Sequence, residues 1–105
     1  MSKKIGGEAE ELQTFIFFGT YNSQSLKNAS AGRTKRAINL IAGFGGKVHS
    51  IYAILGDYDL VMIASLPGLE AAMQVSVALT RSTGISFKTS PAVPADRFDD
   101  VIMKS

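Results

Sequence analysis

A chain of 105 residues, 46% hydrophobic and 19% charged, is the size of one domain with one core, and it is richer in apolar groups than a typical soluble domain. Eleven basic against nine acidic side chains leave a formal charge of +2, too small and too evenly spread to point to a polyanion partner. The absence of cysteine excludes disulfide scaffolds, thiolate catalysis and cysteine-ligated metal sites, and suits a reducing cytoplasmic setting.

Residues 1–11 combine Lys3, Lys4, Gly6, Gly7 and three glutamates with almost no apolar content. Such a segment cannot offset the entropy of ordering, so a flexible tail is expected before a single domain at 12–105. The two lysines resemble the start of a signal peptide, but glycines and glutamates follow where an apolar stretch is required. No apolar run approaches the length of a membrane span, and no membrane partner is expected.

Residues 12–21 are dense in aromatic and β-branched side chains, which predicts the first strand. Asn22 and Ser23 can cap a short helical turn that runs to Asn28, and Ser30 can cap a main helix over about 31–44. Ala37, Ile41 and Phe44 fall on one face of that helix with Ile38 beside them, while Arg33, Lys35, Arg36 and Asn39 make up most of the remainder. Gly43, Gly45 and Gly46 end it.

Residues 47–55 and 58–66 read as two strands joined by Gly56-Asp57, a pair suited to the central positions of a type II′ hairpin turn. Pro67-Gly68 breaks the second run. Leu69, Ala72, Met73, Ser76 and Leu79 then recur at helical spacing to about Ser82. Thr83-Gly84 opens a last strand at 85–90, which Pro91 and Pro94 are expected to end. Beyond them the spacing of Phe98, Val101 and Ile102 predicts a short amphipathic helix.

This order predicts an α+β fold, a ferredoxin-like β-α-β-β-α-β sandwich: a four-stranded antiparallel sheet with two helices on one face, plus a short C-terminal helix. Helices on one face alone should leave strands that alternate apolar with polar. These do not. Ile16 and Phe18 oppose Phe15 and Phe17, Val61 and Ile63 oppose Leu60 and Met62, and Val48 and Ile54 oppose Ile51 and Leu55. Both faces are apolar, which predicts a face-to-face homodimer or higher oligomer of the dimeric α+β-barrel type. The alternative cover is the terminal helix or the tail.

The run Gly45-Gly46-Lys47-Val48, followed by residues 51–61 with Gly56, Tyr58 and Asp59 in a Gly-x-Tyr-Asp turn, resembles the GYD-domain family of small uncharacterised proteins. Looser matches are the aromatic first strand, Lys27-Asn28 in a short turn, and Arg33 near the start of the main helix. The resemblance covers about residues 14–98 and implies a ferredoxin-like fold related to dimeric α+β-barrel proteins. It implies no reaction. The chain departs from the pattern in its longer N-terminal tail and at Gly68-Leu69, where relatives tend to carry acidic helix-capping residues.

The polar cluster Gly56, Asp57, Tyr58, Asp59 admits two readings. Structurally, Gly56 and Asp57 form the turn, an aspartate accepts loose backbone N–H groups and Tyr58 packs at a sheet edge. Functionally, Tyr58 and Asp59 line the mouth of a pocket between sheet and helices or between subunits. His49 is the only histidine, so a multi-histidine metal site is excluded and no metal is expected, while a Ser-His-Asp system stays conceivable. Tyr52 reads as core or interface before ligand contact. Arg33, Lys35 and Arg36 crowd the start of a helix, where the dipole disfavours cations. They form either a solvated basic face or a site for a bound anion.

Gly43-Phe44-Gly45-Gly46 follows a helix and lacks the Lys-Ser/Thr of a phosphate loop. The strand at 59–65 carries neither aromatic nor cation, so nucleic acid is not expected. The function read from these residues is a non-enzymatic, homo-oligomeric small-molecule-binding or regulatory module. It would hold a small apolar or anionic ligand through Tyr58, Asp59, His49 or Arg33 and use no cofactor. The alternative is a cofactor-independent oxygenase or isomerase with His49 or Asp59 as base and Tyr58 orienting the substrate.

Overall fold

The computed structural model describes residues 11–105, so the expected tail at 1–11 lies outside the described residues but for Glu11. Strand β1 (Gln13–Thr20) leads into a short helix α1 (Ser23–Lys27) and the main helix α2 (Ala31–Gly43). Strands β2 (Lys47–Ala53) and β3 (Leu60–Leu66) form a hairpin, followed by helix α3 (Leu69–Thr83), strand β4 (Ser86–Ala92) and helix α4 (Ala95–Lys104). The four strands make one antiparallel sheet in the order β2-β3-β1-β4. That is the ferredoxin-like arrangement the sequence predicts.

Local chemistry sets the element ends. Asn22 and Ser25 form a reciprocal capping box at the start of α1, with the Ser25 N–H donating to Asn22 Oδ1 at 2.7 Å and the Asn22 N–H to Ser25 Oγ at 2.8 Å. Ser30 Oγ accepts the Arg33 N–H at 3.1 Å and starts α2. Gly84, at φ +76°, closes α3 in the left-handed conformation.

The core lies between the sheet and the helices α2 and α3. Phe15 and Phe17 of β1 and Met62, Ala64 and Leu66 of β3 meet Ile41 of α2 and Ala72, Val75 and Leu79 of α3. Gly46 sits so close beneath this layer that an added Cβ would lie 2.5 Å from Leu66 Cδ2 and 2.7 Å from the Ser65 carbonyl oxygen. The glycine run after α2 is therefore a close approach of backbone to backbone as well as a helix stop.

Five details differ from the sequence expectation. The irregularity between Val48 and Ser50 places Val48, opposite Ala64, on the same core-facing side as Ile51, opposite Met62, so the two do not oppose each other as strict alternation predicts. The hairpin connection is longer than a two-residue II′ turn: the Ile54 N–H bonds to the Asp59 carbonyl at 3.0 Å around residues 55–58. The cause is non-local, because Asp59 is held to β1 by its N–H, which donates to the Gly19 carbonyl at 2.9 Å. Strand β4 runs through Pro91 rather than ending there, since an edge strand has one partner and can place the missing N–H on its free side. In α3 the buried stripe is Ala72, Val75 and Leu79, whereas Leu69 and Met73 are exposed. In α2 Arg33 is buried with Ile41 while Ile38 is exposed.

Neither α2 nor α3 reaches the second face of the sheet. The smallest dimension of the molecule is 18 Å, the thickness of a sheet and one helix layer. Every residue of α4 is exposed, so its apolar stripe of Phe98, Val101 and Ile102 has no partner within the described chain.

Candidate functional site

The polar residues singled out from sequence are spread over the fold. Tyr58 packs on the open sheet face, its ring 4.9 Å from that of Phe18 at an interplanar angle of 36°. Asp59 turns toward β1, where Oδ2 accepts the Tyr21 N–H at 2.9 Å. Gly56 has φ +123°, a conformation that favours glycine, and Asp57 beside it is exposed.

His49 occupies a β-bulge in β2, between Val48 opposite Ala64 and Ser50 opposite Ile63. Its Nε2 lies 2.6 Å from Ser65 Oγ. His49 thus shares the open face with Tyr58 but sits at the other end of it, roughly 13 Å away along four residues of β3. Neither the cavity beside Arg33 nor two other hollows of the described residues are lined by His49, Tyr58 or Asp59, and the three side chains do not converge on one point.

Arg33 is placed differently. It is 7% exposed, and the lone hydrogen bond of its guanidinium among the described residues runs from Nη1 to the Ser25 carbonyl oxygen at 2.5 Å. The Tyr21 ring lies beneath it, with Cζ 5.6 Å from the ring centroid. The side chain lines a cavity of about 50 Å³ between sheet and helices, walled by Tyr21, Thr34, Ala37, Ile51, Leu60, Met62, Leu79, Thr83, Ile85 and Phe87. The expectation of a solvated basic face suits Lys35 and Arg36, which are exposed, and not Arg33. A signal was present: Arg33, Ala37 and Ile41 stand at i, i+4 and i+8, on one stripe of α2.

The floor of this cavity is thin because Gly19 has no side chain. An added Cβ there would meet Ile85 Cγ2 and Phe87 Cε1 at 3.0 Å and Leu60 Cβ at 3.3 Å, all of them wall residues. Thr83 directs its hydroxyl into the helix end, donating to the Leu79 carbonyl at 2.6 Å and accepting the Ile85 N–H at 3.1 Å. Most of the wall is thus apolar, with one cation at its edge.

The open sheet face has its own pattern. The central strands place Ile16, Phe18, Val61 and Ile63 on it, all half-buried. The edge strands place Lys47, His49, Ser50 and the exposed Tyr52, opposite Val61, on one side and Ser86, Lys88 and Ser90 on the other. An apolar centre inside a polar border is the anatomy of a protein interface. Among the described residues no cluster of three His, Cys, Asp or Glu side chains could hold a metal ion, and no helix is long and apolar enough to cross a membrane.

The chain matches the GYD domain model over residues 15–102, in agreement with the resemblance drawn from the Gly-x-Tyr-Asp turn. Comparison with curated protein sequences gives no match. Among solved structures it is similar to a leucine response regulatory protein of Mycobacterium tuberculosis, with TM-score 0.53 and 15% identity over 89% of this chain and 59% of that one. It is similar to an AsnC family transcriptional regulator of Agrobacterium tumefaciens, with TM-score 0.56 and 16% identity over 90% of this chain and 58% of that one. A feast or famine regulatory protein of M. tuberculosis complexed with L-methionine gives TM-score 0.57 at 14% identity, covering 89% and 58%. The chain spans less than three fifths of the length of these proteins, and at such identities the likeness is one of fold.

Proposed function

The chain belongs to the GYD-domain family, and from that premise we propose that it is a homo-oligomeric module of the cytoplasm that binds a small molecule in a regulatory rather than a catalytic role. The observation that carries this reading is the open sheet face, with Ile16, Phe18, Val61 and Ile63 at its centre and polar side chains at its border. A second copy of the chain, applied by a two-fold axis, covers that face with the same surface and meets apolar centre with apolar centre. Residues 12–105 form the functional unit in this proposal.

Two further observations support it. Three solved structures of similar fold are regulators by name, and one of them is a complex with L-methionine. His49, Tyr58 and Asp59 stand apart, so the oxygenase or isomerase alternative has no assembled acid–base pair to build on. The test is the solution mass at micromolar concentration, read for the native chain and for a variant with a charge placed at the centre of the face.

A further inference from the structure

We infer that the cavity beside Arg33 is a binding site for a small organic monocarboxylate, with its charged head on the guanidinium and its short apolar tail among Ala37, Ile51, Met62 and Leu79. This rests on the reading of the chain as a small-molecule-binding module and names the ligand class and the place.

The charge comes first. Arg33 is a cation more than nine tenths buried, and it stands in the first turn of α2, where the helix dipole opposes a positive charge. A buried charge needs an opposite charge or several strong hydrogen bonds. Among the described residues the guanidinium has one neutral carbonyl, from Ser25, and the face of Tyr21. The contact to Ser25 anchors Nη1, so the planar fork is held in one orientation, and its other nitrogens are not among the buried atoms left without a partner: they open on accessible space at the cavity edge, where a ligand can reach them. A carboxylate matches such a fork with two parallel hydrogen bonds.

The wall decides the rest of the ligand. A single cation balances a single negative charge, and a mostly apolar wall, whose other polar groups are the hydroxyls of Tyr21, Thr34 and Thr83, does not solvate a second full charge, which disfavours phosphate dianions and dicarboxylates. The Thr83 hydroxyl is engaged at the end of α3 and offers no further polar contact. With about 50 Å³ and on the order of 10–15 Å³ needed for each water-sized group, the space holds roughly three to five such groups, which suits the one- to three-carbon tail of an acid whose carboxylate sits on Arg33 at the cavity edge. Gly19 keeps that space open, because any side chain there would drive Ile85 and Phe87 into it.

The test is titration of the full chain with sodium butyrate and sodium propionate, followed by amide chemical shifts, with butyramide and sodium chloride at matched ionic strength as controls. The inference expects saturable shifts centred on Arg33, Thr34, Thr83 and Ile85 with both carboxylates and none with either control. Arg33→Met, which keeps the buried stem and removes the charge, should weaken butyrate at least ten-fold. Ala37→Leu keeps the charge and fills the cavity, and should abolish butyrate binding; this second variant decides the matter if Arg33→Met does not fold. Equal response to butyramide, shifts confined to the open sheet face, or undiminished binding by both variants would overturn the site. Light scattering on the same samples separates the two proposals. An oligomer without carboxylate shifts overturns the cavity site alone, and a monomer that binds butyrate at Arg33 upholds the site while overturning the assembly.

Discussion

The carboxylate of Asp59 accepts the backbone N–H of Tyr21 at 2.9 Å across 38 positions of sequence. The aspartate of the Gly-x-Tyr-Asp turn thereby fixes the segment that leaves β1, and the ring of that same Tyr21 lies beneath the Arg33 guanidinium. The family signature is on this geometry a brace behind the cavity mouth, one residue removed from the cation itself.

The Asp59 bond should be measurable as stability. Asp59→Ala leaves the Tyr21 N–H without its acceptor and should cost about 1.5–3 kcal/mol, and Asp59→Asn, which keeps an acceptor without the charge, about 1 kcal/mol. Urea melts at fixed protein concentration read both. Two unchanged midpoints would show that the carboxylate does not hold the turn to β1.

Glycine is required at two positions for different reasons, and the sizes should differ. Gly56, at φ +123° with open space around its Cα, should lose on the order of 1 kcal/mol on change to Ala through backbone strain alone. Gly46→Ala drives a methyl against the Ser65 carbonyl and Leu66 and should cost roughly 1–3 kcal/mol or more. A Gly56→Ala loss larger than that of Gly46→Ala would contradict the packing described for the end of α2.

Thr89 carries the one buried side-chain oxygen without a hydrogen-bond partner among the described residues. Thr89→Val keeps the shape and the β-branched stem of an edge-strand residue while removing that hydroxyl. It should stabilise the fold by about 1 kcal/mol, seen as a raised melting midpoint. A lower midpoint would mean that the hydroxyl has a partner, such as an ordered water, in solution.

Much of this architecture is legible in the sequence because its causes are local. The aromatic run of β1, the caps at Asn22 and Ser30 and the glycines after α2 act within a few residues of themselves. The differences all have distant causes. The hairpin loop is lengthened by Asp59 bonding to Gly19 and Tyr21 on β1, and Pro91 fits because β4 has only one neighbour. Both sets of spacings in α3 are helical, and only the position of the sheet selects Val75 over Met73. Arg33 illustrates the same limit at the site, since its charge reads as solvated until the packing of α1, α2 and the sheet closes over it.

The central claim is that the open sheet face is a surface for a second copy of this chain. Light scattering at micromolar concentration should give at least twice the chain mass of 11.2 kDa. Ile63→Lys, a charge at the apolar centre opposite Ile16, should reduce the mass to that of one chain while leaving the far-ultraviolet circular dichroism intact. A wild-type species of 11.2 kDa, or an oligomer indifferent to Ile63→Lys, would contradict it.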